Sequence, residues 1–167
     1  MALITSPTEM IPDLNYEYHT ITVDTIGQTA ANTFTCFLNQ PVHNVVQARL
    51  LAARINTIAP VNGTGHCYVS IEELDSIFSD RASNVLTGQA TMSVVRNSFA
   101  SIVTADDSGL ISFRDDYPIA TQYINPIRTI SRLTINIRNQ DGVLIEPPNP
   151  IEDNYLVLRF VCRKPNL

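Results

Sequence analysis

Three histidines, three cysteines and several adjacent pairs of carboxylates are the residues of this 167-residue chain that could carry chemistry. A metal centre of the cupin kind needs imidazoles converging on one ion with a carboxylate nearby. His19, His43 and His66 instead stand alone on separate segments, and they read as surface or strand-end residues satisfied by backbone. The carboxylate pairs are Glu72-Glu73, Asp106-Asp107, Asp115-Asp116 and Glu152-Asp153. Paired carboxylates can divide the roles of acid and base or hold calcium. Most of these pairs fall in or beside turn-forming stretches, where Asp is favoured because it hydrogen-bonds neighbouring backbone, so they read as solvated loops. The chain has no phosphate-binding loop, no Gly-x-Ser-x-Gly and no Gly-x-Gly-x-x-Gly, and no nucleophile has a base beside it. The expectation is a protein that is not an enzyme, with no cofactor and no metal.

The cysteines are odd in number and form no Cys-x-x-Cys. Each falls on the apolar parity of its segment: Cys36 with Phe34 and Leu38, Cys67 with Val69 and Ile71, Cys162 with Leu158 and Phe160. All three therefore read as reduced, buried small hydrophobes in a chain assembled in a reducing compartment. Net charge is −5, and the basic residues are scattered singly, which argues against binding nucleic acid through its phosphates. All but Lys164 are Arg, the cation that tolerates burial in contacts with other protein. Residues 1–7 lack a basic leader and a long apolar run, so they do not read as a signal peptide. No stretch approaches the ~20 apolar residues of a membrane span.

The elements that must position these residues are strands. From Leu133, Leu133, Ile135 and Ile137 take one face and Thr134, Asn136 and Arg138 the other. Asn139-Gln140-Asp141-Gly142 turns the chain, with Gly free to take positive φ. A return strand then puts Leu156, Leu158, Phe160 and Cys162 on one face. Between them Pro147, Pro148 and Pro150 cannot donate ladder hydrogen bonds, so the connection reads as a stiff arm at an edge and not a tight hairpin. Residues 1–18 read as an extended arm and 19–167 as a single domain. Strands are expected at 19–24, 33–39, 66–73, 92–104, 110–114 and 119–125, with turns at 62–65, 106–109 and 115–118. Residues 42–58 are rich in Ala, Leu and Arg and favour helix by propensity. Neither period sorts Arg49 and Arg54 onto one face, and the segment reads as a long strand because its neighbours are strands. The census predicts an all-β chain, a single eight-stranded jelly-roll β-sandwich.

The order Pro126-Ile127-Arg128-Thr129-Ile130, Leu133-x-Ile-x-Ile137, Asp141-Gly142 and Leu156-x-Leu-x-Phe160 resembles the closing strands of single jelly-roll capsid proteins. Those are the penton and minor capsid proteins of large icosahedral double-stranded DNA viruses. The resemblance extends over Phe37 to Val42, Val69 to Leu74 and Ser98 to Ile102. It implies a structural capsid protein of the virion shell, assembled in host cytoplasm. The major capsid proteins of such viruses are trimeric double jelly rolls, so the resemblance favours a penton subunit: a homopentamer at five-fold vertices, with major and minor capsid proteins as partners. Asp115, Asp116, Arg128 and Arg132 are the interface candidates, because loops at the ends of a sandwich are free to meet partners. A minor capsid protein cementing major capsid trimers is an alternative. So are a lectin-like β-sandwich binding module and, further off, a cupin-like metalloenzyme.

Overall fold

Leu133, Ile135 and Ile137 are fully buried, and Thr134, Asn136 and Arg138 between them are half-buried, as the alternation requires. The same holds at the end of the chain, where Leu156, Leu158, Phe160 and Cys162 are buried. Each such side chain is stabilised by ~1.5–3 kcal/mol on leaving water, which fixes the inward face of both strands. The computed structural model describes residues 15–30, 32–57, 66–74, 84–86, 89–91, 95, 97–103, 110–139, 141–148 and 151–165, without the side chains of 66, 84–86, 89–91 and 115–118.

The strands are β1 (Tyr16–Asp24), β2 (Thr33–Asn56), β3 (His66–Ile71), β4 (Asn84–Leu86), β5 (Gln89–Thr91), β6 (Ala100–Val103), β7 (Leu110–Arg138) and β8 (Tyr155–Arg163). The described residues contain no helix, so the chain is all-β there. Six strands form one curled antiparallel sheet in the order β1-β8-β2-β7-β3-β6, consistent with a β-sandwich, and β4 and β5 form a separate ribbon.

Two very long strands curl the sheet. The leading part of β2, Thr33–Phe37, pairs with β7 from Asn136 back to Arg132, and β7 there also pairs with β3. The trailing part, Val45–Arg54, lies between β8 and the leading part of β7. The pairing slips between these parts. Phe37 faces Arg132 but Val42 faces Ile130, so β2 bulges at 38–41. Val45 faces Ile127 but Gln47 faces Gln122, so β7 bulges at 123–126. Extra residues bend and twist a strand, which lets the long strands follow the curl of the sheet. Asn44, at φ 52°, sits within this bend.

The same irregularities explain why 42–58 resisted a period. From Val45 to Ile55 its buried residues are Val45, Ala48, Leu50, Ala53 and Ile55, spaced by three, two, three and two, because β2 slips against β8 between Val45 and Gln47 and again between Leu50 and Ala52. Each slip resets the parity. Arg49 and Arg54 do point away from the core once the slips are counted, and the strand reading of this segment holds. Flanking strands on both sides override its helix propensity.

Several boundaries differ from expectation. β1 begins at Tyr16, so 16–18 belong to the sheet and not to the arm; residues 1–14 lie outside the described residues. Strands 33–39 and 42–58 are one strand, continuous through Pro41, and the strand expected over 92–104 is only Ala100–Val103 among the described residues. The turns at 62–65 and 106–109 lie outside the described residues. The strand ending at Arg138 and the strand from Tyr155 are not neighbours, since β2 separates β8 from β7. After Gly142, at φ 76°, the chain doubles back at once: Ile145 N–H donates to Ile137 O at 3.0 Å and Leu144 bridges to Arg138. Asn139 closes this tight turn, its Oδ1 accepting from Asp141 N at 2.9 Å and Val143 N at 3.0 Å. A tight hairpin thus precedes the proline arm.

A buried polar knot joins the lower ends of the strands. Asn154, fully buried, accepts on Oδ1 from Asn56 N at 2.7 Å, and its own N–H donates to Thr25 Oγ1 at 2.9 Å. Asn56 Nδ2 donates to Asp153 O at 2.7 Å. The end of β1, the end of β2 and the start of β8 are held together there.

Candidate functional site

The open features of this surface lie along one side of the curled sheet. β1 pairs only with β8, and the leading part of β2 pairs only with β7. Each therefore has a free edge of backbone donors and acceptors among the described residues. The two edges face each other across a cavity of about 580 Å³, lined by Tyr18–Val23 of β1 and by Cys36–Gln40 and Val42 of β2. Ile21, Cys36 and Leu38 point inward by parity yet are only partly buried, because the seam between the edges is open.

Cys36 is thus not the buried residue its parity suggests. Its Sγ sits 3.7 Å from Leu133 O, and partial burial raises its pKa above the ordinary thiol value. Cys67 and Cys162 are buried as expected, and the described structure has all three free. Burial alone pushes the Cys67 thiol up to about 12, and burial followed by the nearby Glu17 charge raises Cys162.

At its upper end the seam opens beside a second cavity of about 550 Å³, walled by Glu17, His19, His43, Arg128, Arg163 and Lys164 among others. Cations that are scattered in the sequence are here brought together, Arg128 from the interior of β7 and Arg163 and Lys164 from the end of β8. His19 Nε2 lies 3.5 Å from Glu17 Oε2, and His43 Nδ1 lies 3.1 Å from Thr129 Oγ1. Such a mouth attracts carboxylates or other anions. His66 has no described side chain, and no group of three or more His, Cys, Asp or Glu among the described residues is placed to hold a metal ion.

The four interface candidates are separated. Arg128 is exposed at the mouth. Arg132 is already engaged, its Nε 3.4 Å from Glu73 Oε1. Glu73 also accepts from Thr134 N at 2.7 Å and Thr134 Oγ1 at 3.0 Å, so this carboxylate pins the corner after β3 onto β7. Asp115 and Asp116 are not in a turn: the strand continues through them, although pairing with β2 jumps from Ala52–Arg114 to Leu50–Ile119. Their turn-forming chemistry appears as a bulge, far along β7 from Arg128.

Sequence reasoning passed over Tyr18, Phe37 and Ile124, large apolar residues that are 42%, 76% and 93% exposed. Phe37 was legible, since it falls on the outward parity between Thr35 and Asn39. Ile124 was not, because the bulge at 123–126 makes its direction independent of alternation. No helix among the described residues is long and apolar enough to cross a membrane. The chain matches no protein-family model and no curated protein.

Proposed function

We propose that this chain is a single eight-stranded jelly roll and a structural subunit of an icosahedral capsid, a penton that forms a homopentamer at the five-fold vertices. The observation that carries the fold is the pairing order once β2 and β7 are each counted as two strands at their bends. One layer is then β1, β8, trailing β2 and leading β7; the other is leading β2, trailing β7, β3 and β6. In chain order that is 1-8-3-6 against 2-7-4-5, the winding of a jelly roll from two Greek keys. The capsid role rests on the resemblance carried by Pro126–Ile130, Leu133–Ile137 and Leu156–Phe160. Exposed Phe37 and Ile124 at the bends, with Arg128 free beside them, suit a heterologous ring contact in which one patch meets a different patch on the next copy. Because Glu73 holds Arg132, Arg128 is the better of the two arginines for that contact.

Native mass spectrometry of the purified chain tests this reading, and a map of the particle places it. A five-membered ring that Arg128→Glu disperses without unfolding the monomer is the expected result. A monomer at all concentrations, with density between capsomers and another protein at the vertices, would reject the penton in favour of the cement role.

A further inference from the structure

We propose that the outer face of the sheet formed by β1, β8, the trailing part of β2 and the leading part of β7 is a docking face for an acidic surface on a partner protein. Strand register brings onto it arginines that stand singly in the sequence. On β8 the outward residues are Tyr155, Val157, Arg159, Val161 and Arg163, since Leu156, Leu158, Phe160 and Cys162 between them are buried. Residues paired across an antiparallel sheet share a face, so Arg49 and Arg54 of β2, opposite Arg159 and Tyr155, join it. Arg114 of β7 joins it too, because it pairs with Ala52, and Ala52 pairs with Val157.

Four of these arginines are open to a partner. Arg54, Arg114, Arg159 and Arg163 are exposed, and none lies within ion-pair distance of a carboxylate among the described side chains. Arg159 has Arg49 directly opposite it, so that neighbour adds to its charge. Like charges placed in this way work against a sheet, and keeping them on one face of a chain whose net charge is −5 sets that face apart from the rest of the surface. The acidic side chain described there is Asp24, at the corner where β1 ends opposite Tyr155, and its Oδ1 accepts from Ile26 N at 3.1 Å.

The residues between the arginines favour a protein over a nucleic acid. Tyr18 and Tyr155, 42% and 36% exposed, lie on the same face, and Val157, Val161 and Ala52 are half-buried among the arginines. Tyr and Arg are enriched where proteins meet and Lys is depleted there; the cations of this face are all Arg. Arg is also more weakly hydrated than Lys, and its fork holds a carboxylate in a bidentate pair. A polyanionic strand would have to lie along a chain that is acidic elsewhere, whereas a partner protein needs only a matching acidic patch. The nine residues of β8 at ~3.3 Å each and four strands at ~4.8 Å give a face of roughly 30 by 19 Å, comparable with the ~800 Å² each partner contributes to a standard interface once side-chain relief is added. The inference goes beyond the capsid reading and does not rest on it.

The probe is a short labelled polyglutamate, titrated with the full chain at low salt and read by fluorescence anisotropy. Arg159→Gln and Arg54→Gln should each weaken binding about two- to fivefold, the range for one exposed ion pair, and should lessen its fall with added salt. Arg132→Gln removes the same charge from the trailing part of β7 and should leave binding unchanged, since Glu73 already holds that side chain. Silence of the fully buried Cys67 toward a thiol reagent until denaturant is added shows that each variant is folded. No measurable binding would overturn the inference. So would an equal loss in Arg132→Gln, which would mean a diffuse effect of charge. A thymidine oligonucleotide of the same length that bound more tightly than polyglutamate would also overturn it, by assigning the face to nucleic acid. None of these outcomes bears on the ring, whose test is association of the chain with itself.

Discussion

Leu158 and Leu38 face the same interior, but one is fully buried and the other only partly. Leu158 lies on β8, which has β1 on one side and β2 on the other, pairing with Ile21 and Leu50. Leu38 lies in the bulge of β2, where β7 flanks one side only. The difference between the closed wall and the open seam is thus set by the neighbours of each strand. Its own alternation is equally good in both places. Leu158→Ala should cost ~2–5 kcal/mol, the range for emptying a packed site, whereas Leu38→Ala should cost under ~1.5 kcal/mol because part of that side chain is already hydrated. Urea unfolding of the two variants measures both, and equal costs would mean that the seam is as well packed as the wall.

The knot around Asn154 sharpens the contrast, since it also reaches Asn32, next to the start of β2, through Nδ2 at 3.5 Å from Asn32 Oδ1, and so ties the lower end of the seam where the upper end stays open. Asn154→Ala would leave the buried Asn56 N–H without its acceptor and remove the Nδ2 contact to Asn32 Oδ1, while the backbone bonds to Thr25 remain. An unsatisfied buried group costs ~1–3 kcal/mol, so the variant should unfold at clearly lower urea with an unchanged slope. A neutral result would show that the floor is held by strand pairing alone.

What was legible in the sequence follows the same division. The strands ending at Arg138 and Arg163 were readable residue by residue, because each is flanked on both sides and keeps strict alternation wherever it is buried. The long strands were read as fragments. Pro41, Pro118 and Pro126 look like strand ends, yet in a long strand that bends with the curl of the sheet they sit at or beside bulges, where a missing N–H is tolerated. Asp115-Asp116 misled for the same reason, since turn-forming residues also build bulges. Arg128 could be named but not given surroundings, as the residues around its cavity come from sequence positions 17, 19, 43, 163 and 164. That convergence is a property of the pairing, which alternation does not encode.

Cysteine titration separates the two regions by pH. The Cys67 thiol is raised to about 12 from an ordinary value of 9.0. Between those values the unfolded chain has lost this proton while the folded chain keeps it, so stability is fully present below pH 9.0 and falls as pH rises. The slope from one such group is roughly 1 to 2 kcal/mol per pH unit. Replacing Cys67 with Ala should flatten the alkaline limb of a stability profile measured by urea titration. An unchanged limb in that variant would place the titrating group elsewhere and deny the full burial of the wall.

Thr134 carries the smallest effect and tests how far outward parity means exposed. By alternation it points away from Leu133 and Ile135, and alternation alone predicts a negligible cost for Thr134→Ala. The structure places Glu73 over it, with Oε1 accepting from the hydroxyl at 3.0 Å and Oε2 accepting from the backbone N–H at 2.7 Å. The substitution removes the first bond and leaves the second, as well as the Arg132 contact, so the carboxylate is never stranded. A single bond to a charged acceptor that keeps its other partners is worth ~1 kcal/mol, less than any loss at Leu158 and more than a bare surface position shows. A double-mutant cycle of Thr134→Ala with Glu73→Gln isolates it. Coupling near zero would mean that Glu73 acts only through the backbone N–H and Arg132, and the outer face of β7 would then be as indifferent to side chain as its parity suggests.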